Sequence, residues 1–232
     1  MKRRIAAFFH VPFEGLGSLD PLIRSAGHLL ASYRLWNRPR LPEPGSIDAA
    51  ILMGGPMGVG DVDRHPWLID EKDAVRRYID AGVRIVGICL GAQIVAEALG
   101  ARVYRAETAE IGWFDVHRDD RFESTVLGGV LPRRFDAFHW HGDAFDCPDG
   151  AVPLGSSEAC ACQGFLWADR VAAFQFHLET TPESARTLID HGAKDLARGG
   201  PYVQNVQEML EKAERFGKIN RLMAHIWATL VS

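Results

Sequence analysis

Apolar and polar positions along this chain fall into short blocks whose period keeps switching. Residues 4–10 are a nearly continuous apolar run behind a basic start, the signature of a buried strand. Residues 19–30 carry helical spacing, with Ser18 placed to cap and Pro21 in the first turn. A second strand is expected over residues 32–36, a proline-rich loop over 38–46, and a third strand over 49–53 that runs into Gly54-Gly55-Pro56-Met57. Residues 66–81 put Leu68, Val75, Tyr78 and Ile79 on one helical face, with Gly82 as the stop. Residues 83–88 are again apolar and β-branched, and residues 92–99 read as a helix closed by Gly100. This strand–helix alternation predicts a parallel sheet flanked by helices, with functional groups at the C-terminal ends of its strands.

After Ala101 the texture changes. Residues 101–105, 112–117 and 135–141 read as strands with little helix between them. Residues 163–168 and 171–177 read as a hairpin around Asp169-Arg170. These antiparallel strands are expected to extend the sheet. A helix over residues 182–198, capped by Thr181, ends at Gly199-Gly200-Pro201, and a helical tail follows over 202–230 with Val203, Val206, Leu210, Ala213 and Phe216 as its apolar stripe. The expected architecture is α/β in three layers: a mostly parallel central sheet with flanking helices, antiparallel strands added, and a C-terminal helical tail. Residues 1–200 form one domain in this reading, and residues 201–232 a helical extension packed on it. No internal repeat or low-complexity segment interrupts the pattern.

Composition narrows the function classes. The chain has 232 residues, 47% of them hydrophobic, and a formal net charge of −4. With no basic run interleaved with aromatics, nothing points to nucleic acid. The opening Met1-Lys2-Arg3-Arg4 followed by an apolar run superficially resembles a leader, but His10 and Pro12 break that run early, so it is read as the first strand. No apolar run reaches membrane-spanning length. Four cysteines in a chain of this size point to a reducing, cytoplasmic setting. Cys160 and Cys162 form a single C-x-C pair and Cys147 has no partner at knuckle spacing, so two small buried cysteines on one strand face are expected, and no metal.

The chemistry concentrates at Val86-Gly87-Ile88-Cys89-Leu90-Gly91-Ala92-Gln93. Cys89 falls on the turn between a strand and a helix, in a G-x-C-x-G pattern that is the cysteine version of the nucleophile elbow. Gly87 and Gly91 are needed because Cβ atoms would clash in so tight a turn. A thiolate at a helix N-terminus is also stabilised by unpaired N–H groups and the helix dipole. A cysteine nucleophile requires a base, and the base an orienting group. In Phe174-Gln175-Phe176-His177-Leu178-Glu179 strand alternation sends Phe174, Phe176 and Leu178 to one face and Gln175, His177 and Glu179 to the other. Residues at i and i+2 are about 6.5–7 Å apart at Cα, within reach of a carboxylate–imidazole contact.

Four segments in this order resemble the class I, triad-type glutamine amidotransferases. They are Gly54-Gly55-Pro56-Met57, the Cys89 elbow, His139-Trp140-His141-Gly142-Asp143, and Phe176-His177-Leu178-Glu179, together spanning residues 54–179. Two departures stand out: Leu178 where the family often has proline, and Met57 where it often has a small polar residue. The resemblance implies a flavodoxin-like fold and a catalytic triad of Cys89, His177 and Glu179. It implies an oxyanion hole from the N–H groups of Gly55 and Leu90. It implies substrate contacts from Gly54, Gln93, Trp140, His141, Gly142 and Asp143, and no cofactor. Glu110-Ile111-Gly112-Trp113 resembles a segment of stand-alone members and is expected to border the pocket.

His10, Glu14, His65, His117 and His139 are candidates to line a substrate cleft, but each alone is read as a surface or satisfied polar residue. His141 competes with His177 for the base role but lacks a carboxylate on its own strand face unless Asp143 serves. The glycine-rich stretch has no following Lys-Ser/Thr and is not a P-loop. With no nucleotide-binding motif and no room for a synthetase domain, three readings stand. One is a stand-alone hydrolase of glutamine or a γ-glutamyl compound, similar to the γ-glutamyl peptidase branch. The second is a glutaminase subunit that feeds ammonia to a separate synthase. The third is a non-catalytic sensor of a γ-glutamyl ligand, disfavoured because a binding module has no use for His177 beside Glu179. The partners implied are a small-molecule substrate and the synthase of the second reading, with no nucleic acid and no membrane, and with a homodimer as one arrangement.

Overall fold

The computed structural model describes residues 1–231. Its first half alternates β1 (Arg4–Phe9), α1 (Leu19–Ser25), β2 (Leu29–Arg34), β3 (Ala49–Leu52), α2 (Trp67–Asp80), β4 (Arg84–Ile88) and α3 (Leu90–Ala98). The second half holds β5 (Val103–Arg118), β6 (Arg134–Phe145), β7 (Val152–Pro153), β8 (Gly155–Ser156), β9 (Gly164–Trp167) and β10 (Val171–Phe174). It ends with α4 (Pro182–His191), α5 (Ala193–Arg198), α6 (Val206–Leu210) and α7 (Glu214–Val231).

Among the described residues the central sheet runs β2-β1-β3-β4-β10-β9-β7. β2, β1, β3, β4 and β10 pair in parallel, and β9 is antiparallel to both β10 and β7. Alternation along each parallel strand divides the core in two. Ile5, Ala7, Ile51, Val86, Ile88 and Phe174 face a cluster with α1, the β5–β6 ribbon and α7, whereas Ala6, Phe8, Leu52, Ile85 and Ala173 face α2 and α3. This is the expected three-layer α/β arrangement. β5 and β6 do not extend the sheet; with β8 they form a second, antiparallel sheet broken by a bulge between Arg105 and Glu110. No described helix is long and apolar enough to cross a membrane.

Several predicted boundaries shift, each for a local reason. α1 stops at Ser25, and Gly27, at φ +72°, turns the chain so that residues 29–34 pair with β1. Leu29 and Leu30 therefore belong to an edge strand, not to the helix. The hairpin turns on Ala168 and Asp169, at φ 49° and 52°, one residue earlier than expected. The helix over 182–198 divides at Gly192, where an added Cβ would lie 2.1 Å from the Trp140 ring. Cys160 and Cys162 lie in the loop before β9 and not on a strand. Cys147, read as isolated, has Cys162 as a neighbour that lowers its thiol pKa.

The tail also divides, because residues 202–204 lie alongside β5: Ile111 N–H donates to the Tyr202 carbonyl at 2.8 Å and Gln204 N–H to the Ile111 carbonyl at 2.9 Å. Its buried stripe is Met209, Phe216, Ile219, Met223, Ile226, Trp227 and Leu230; Val206 and Ala213 are exposed. The segment predicted to run over 201–232 has its last residue outside the described ones.

Candidate active site

β4 delivers the chain into a turn where Cys89 adopts φ 52°, ψ −107°, a positive-φ conformation for a residue with a side chain. The turn is fixed from three sides. Cys89 N–H donates to the Phe174 carbonyl of β10 at 2.8 Å, and Gly91 N–H to the Met53 carbonyl at 3.1 Å. A Cβ on Gly91 would stand 2.2 Å from the Leu52 carbonyl oxygen, and one on Gly87 would stand 2.7 Å from the Gly91 oxygen. Both glycines are thus required by close backbone approach.

β10 ends at Phe174, three residues before His177. The alternation nevertheless persists, because His177 N–H donates to the Phe138 carbonyl of β6 at 2.8 Å and holds the segment extended. Phe174, Phe176 and Leu178 stay in the core, and His177 Nδ1–H donates to Glu179 Oε1 at 2.7 Å. The Glu179 peptide is braced in turn. Its carbonyl accepts Ser18 N–H at 2.8 Å, and Asn220 of α7 donates to the Leu178 and Thr180 carbonyls on either side, each at 2.9 Å. Burial by itself depresses the His177 pKa, but Glu179 and the neighbouring Cys89 sulfur outweigh it and hold it well above the ordinary histidine value.

The glycine loop lies beside the elbow. An added Cβ on Gly55 would crowd Met57, His10 and Leu90. Neither the Gly55 nor the Leu90 N–H makes a hydrogen bond among the described residues. Gly54, expected to touch substrate, lines neither void at Cys89; a Cβ there would meet Glu14 Oε2 at 2.6 Å and His177 Cε1 at 3.3 Å, and its carbonyl accepts from His10 Nδ1 at 2.8 Å. The larger void, about 380 Å³, is lined by Gln93, Trp140, His141, Gly142 and Asp143 as expected. It also carries two cations the sequence did not single out: Arg105, 3.1 Å from Asp143, and Arg198, 3.2 Å from Asp195. Gly142 leaves room for Arg105, whose guanidinium would be 2.6 Å from an added Cβ. A smaller void of about 60 Å³ is lined by His177, Glu14, Phe13 and His191.

Gln93 is buried and donates to Gln175 Oε1 at 3.3 Å. His139, read as a surface or satisfied polar residue, is buried with Nε2 3.3 Å from the Phe114 carbonyl oxygen, and burial pushes its pKa down to about 3. His141 has a carboxylate partner after all: Glu110, directly opposite on β5, at 3.1 Å. This partner comes from another strand, where same-strand spacing could not reveal it. Glu110, His139 and His141 offer donor atoms within 4.8 Å of one another, close enough for one divalent cation. Three donors are one short of a closed structural zinc site. The Glu110 oxygen that faces the histidines already accepts Gln163 Nε2–H at 2.6 Å, so the group reads as a buried carboxylate–histidine–amide cluster.

Comparison with known proteins identifies the family and the fold. A family model described as glutamine amidotransferase class-I matches residues 22–194. The glutamine amidotransferase-like protein YfeJ of Salmonella typhimurium is 28% identical over 212 residues, 89% of each chain. A glutamine-hydrolyzing GMP synthase subunit of Natronomonas pharaonis is 31% identical over 160 residues, covering 68% of this chain and 80% of the relative. A crystal structure of a glutamine amidotransferase from Thermotoga maritima superposes with a TM-score of 0.89 at 28% identity, covering 100% of both chains.

Proposed function

The chain belongs to the class I glutamine amidotransferases, and from that premise we propose that it hydrolyses the γ-amide of glutamine, or of a γ-glutamyl compound, through a γ-glutamyl thioester on Cys89. The observation that carries this reading is the pairing of His177, oriented by Glu179 at 2.7 Å, with the Cys89 sulfur, which also lies 3.5 Å from the Trp140 carbonyl. The N–H of Gly55, which lines the voids at Cys89, and of Leu90, the next residue in the chain, make no hydrogen bond among the described residues. His177 takes the Cys89 proton, and the sulfur attacks the amide carbon. The carbonyl electron pair moves onto oxygen, where the Gly55 and Leu90 N–H groups receive it; one such donor is worth roughly 3–4 kcal/mol to the transition state. Collapse breaks the C–N bond, and the amine leaves with a proton from His177. Water then attacks the thioester, giving its proton to His177, and glutamate departs as the sulfur is released.

The two voids support this direction of travel. The larger one offers Arg105 and Arg198 to an α-carboxylate and Asp143 to an α-ammonium, as a γ-glutamyl group requires, with Gln93, Trp140, His141 and Gly142 completing the wall. His177 borders only the smaller one, so the leaving amine exits there. Hydrolysis by the chain alone is the favoured reading. The similarity to the GMP synthase subunit supports a second, in which the same glutaminase supplies ammonia to a separate synthase.

Ammonia and glutamate release by the purified protein, from glutamine and a panel of γ-glutamyl amides and peptides, tests both readings with Cys89→Ala as control. Rapid Cys89-dependent turnover supports the stand-alone hydrolase. Negligible turnover, with Cys89 still alkylated by a glutamine-like chloroketone, supports the ammonia-supplying role. A Cys89→Ala protein as active as wild type would sink both.

A further inference from the structure

We propose that His10 and Glu71, which touch no substrate, are positioning residues that hold the Gly54–Gly55 peptide in the orientation the oxyanion hole requires. This rests on the thioester reading above. His10 follows β1 directly, and Glu71 lies on α2 one turn beyond Trp67, whose ring packs 5.6 Å from that of His10. The His10 and Glu71 side chains are 0% and 1% exposed. His10 Nδ1 lies 2.8 Å from the Gly54 carbonyl oxygen, and Nε2 lies 3.0 and 3.1 Å from the two Glu71 oxygens. Both partners are acceptors, so the ring serves both by carrying a proton on each nitrogen. Burial opposes that charge, but Glu71, the Gly54 carbonyl and nearby Glu14 prevail and raise the His10 pKa.

The consequence follows from peptide geometry. The bond is trans and planar, so the Gly54 carbonyl and the Gly55 N–H point in opposite directions. Holding the carbonyl back toward His10 turns the Gly55 N–H out toward Cys89. The Gly54–Gly55 peptide makes no other hydrogen bond among the described residues. Two adjacent glycines leave such a peptide free to rotate unless something restrains it, and the His10 donor is that restraint. A buried ion pair is itself weak support for stability, so a role in aiming the peptide accounts for it better.

The test compares His10→Phe/Glu71→Leu with His10→Asn/Glu71→Leu. Both remove the two buried charges together, and they differ in whether an N–H donor remains near the Gly54 carbonyl. The phenylalanine form is expected to lose roughly 10²-fold in kcat, as for a lost oxyanion donor, with KM within threefold; the asparagine form regains at least tenfold. Glutamate γ-semialdehyde adds to Cys89 to give a tetrahedral hemithioacetal, so its Ki should rise in step with the kcat loss. Glutamine binding to the same variants carrying Cys89→Ala should not change. Equal kcat in the two folded double variants, or equal losses of glutamine and aldehyde binding, would overturn the proposal. If the phenylalanine form does not fold, His10→Asn alone serves: kcat within tenfold of wild type is expected, and a larger loss in a folded protein refutes the restraint. Failure of the thioester reading is distinguishable, because wild type would then show neither Cys89-dependent turnover nor aldehyde inhibition.

Discussion

At Cys89 the backbone sits at φ 52°, ψ −107°, a conformation that costs on the order of 1–3 kcal/mol and persists only where the surroundings enforce it. Gly91 is part of that enforcement, with no space for a methyl group against the Leu52 carbonyl. Gly91→Ala is therefore expected to lose about 3 kcal/mol or more of stability, read as a fall in the denaturation midpoint; an unchanged midpoint would mean the elbow can move aside. The side chains divide their labour differently. In the proposed mechanism His177 moves protons, whereas Glu179 orients it and sustains its charge. His177→Ala should cost turnover roughly 10^6-fold and Glu179→Gln roughly 10^4-fold, on the scale of other triads. Equal losses in two folded variants would count against the division.

Among elements, the positioning of His177 and Glu179 falls to neighbours outside β10. β10 stops before His177, and the His177–Glu179 stretch beyond it is held by borrowed hydrogen bonds: one to β6, one from Ser18, and two from Asn220 on α7. Asn220 thus ties the C-terminal helix to the peptides flanking Glu179. Asn220→Leu should lower kcat more than tenfold while shifting the melting temperature by only a few degrees, about 1 kcal/mol for a domain of this size. Steady-state kinetics and thermal melts on one preparation would decide it, and a variant that loses stability but keeps kcat would assign Asn220 to packing alone.

Across the whole molecule, the central sheet separates two apolar clusters, and the second sheet closes over the active face through β6. Glu110 links β5 to β6 through His141, and to the loop before β9 through Gln163. Burial by itself would raise its pKa, but His141, His139 and Ser157 bring it down to about 2. The unfolded carboxyl titrates near 4.5, so between these values the unfolded chain takes up a proton that the folded chain refuses. Glu110 therefore contributes about 3 kcal/mol above pH 4.5, lost as the pH falls through 2. Denaturant titrations from pH 6 to pH 2 should show Glu110→Gln flattening that acid slope. A slope identical to wild type would remove Glu110 from the account.

The sequence by itself determined the alternating first half, the two-faced strands, the elbow glycines and the pairing of His177 with Glu179, because each is written in spacings of a few residues. Steric demands at Gly87 and Gly91 and strand alternation at Phe174, Phe176 and Leu178 act over one or two peptide units, and those survive any packing. Only the tertiary structure decided the rest. Leu29 and Leu30 continue a helical pattern, yet pairing with β1 makes them strand. Ribbon and sheet separate because β5 and β6 find each other rather than an open sheet edge. His10 meets Glu71, His141 meets Glu110, and Asn220 meets the Glu179 loop across 61, 31 and about 40 residues of chain. Such partners have no fixed spacing in sequence, since they are chosen by which elements stack, and in this chain they hold the residues that the motifs announce.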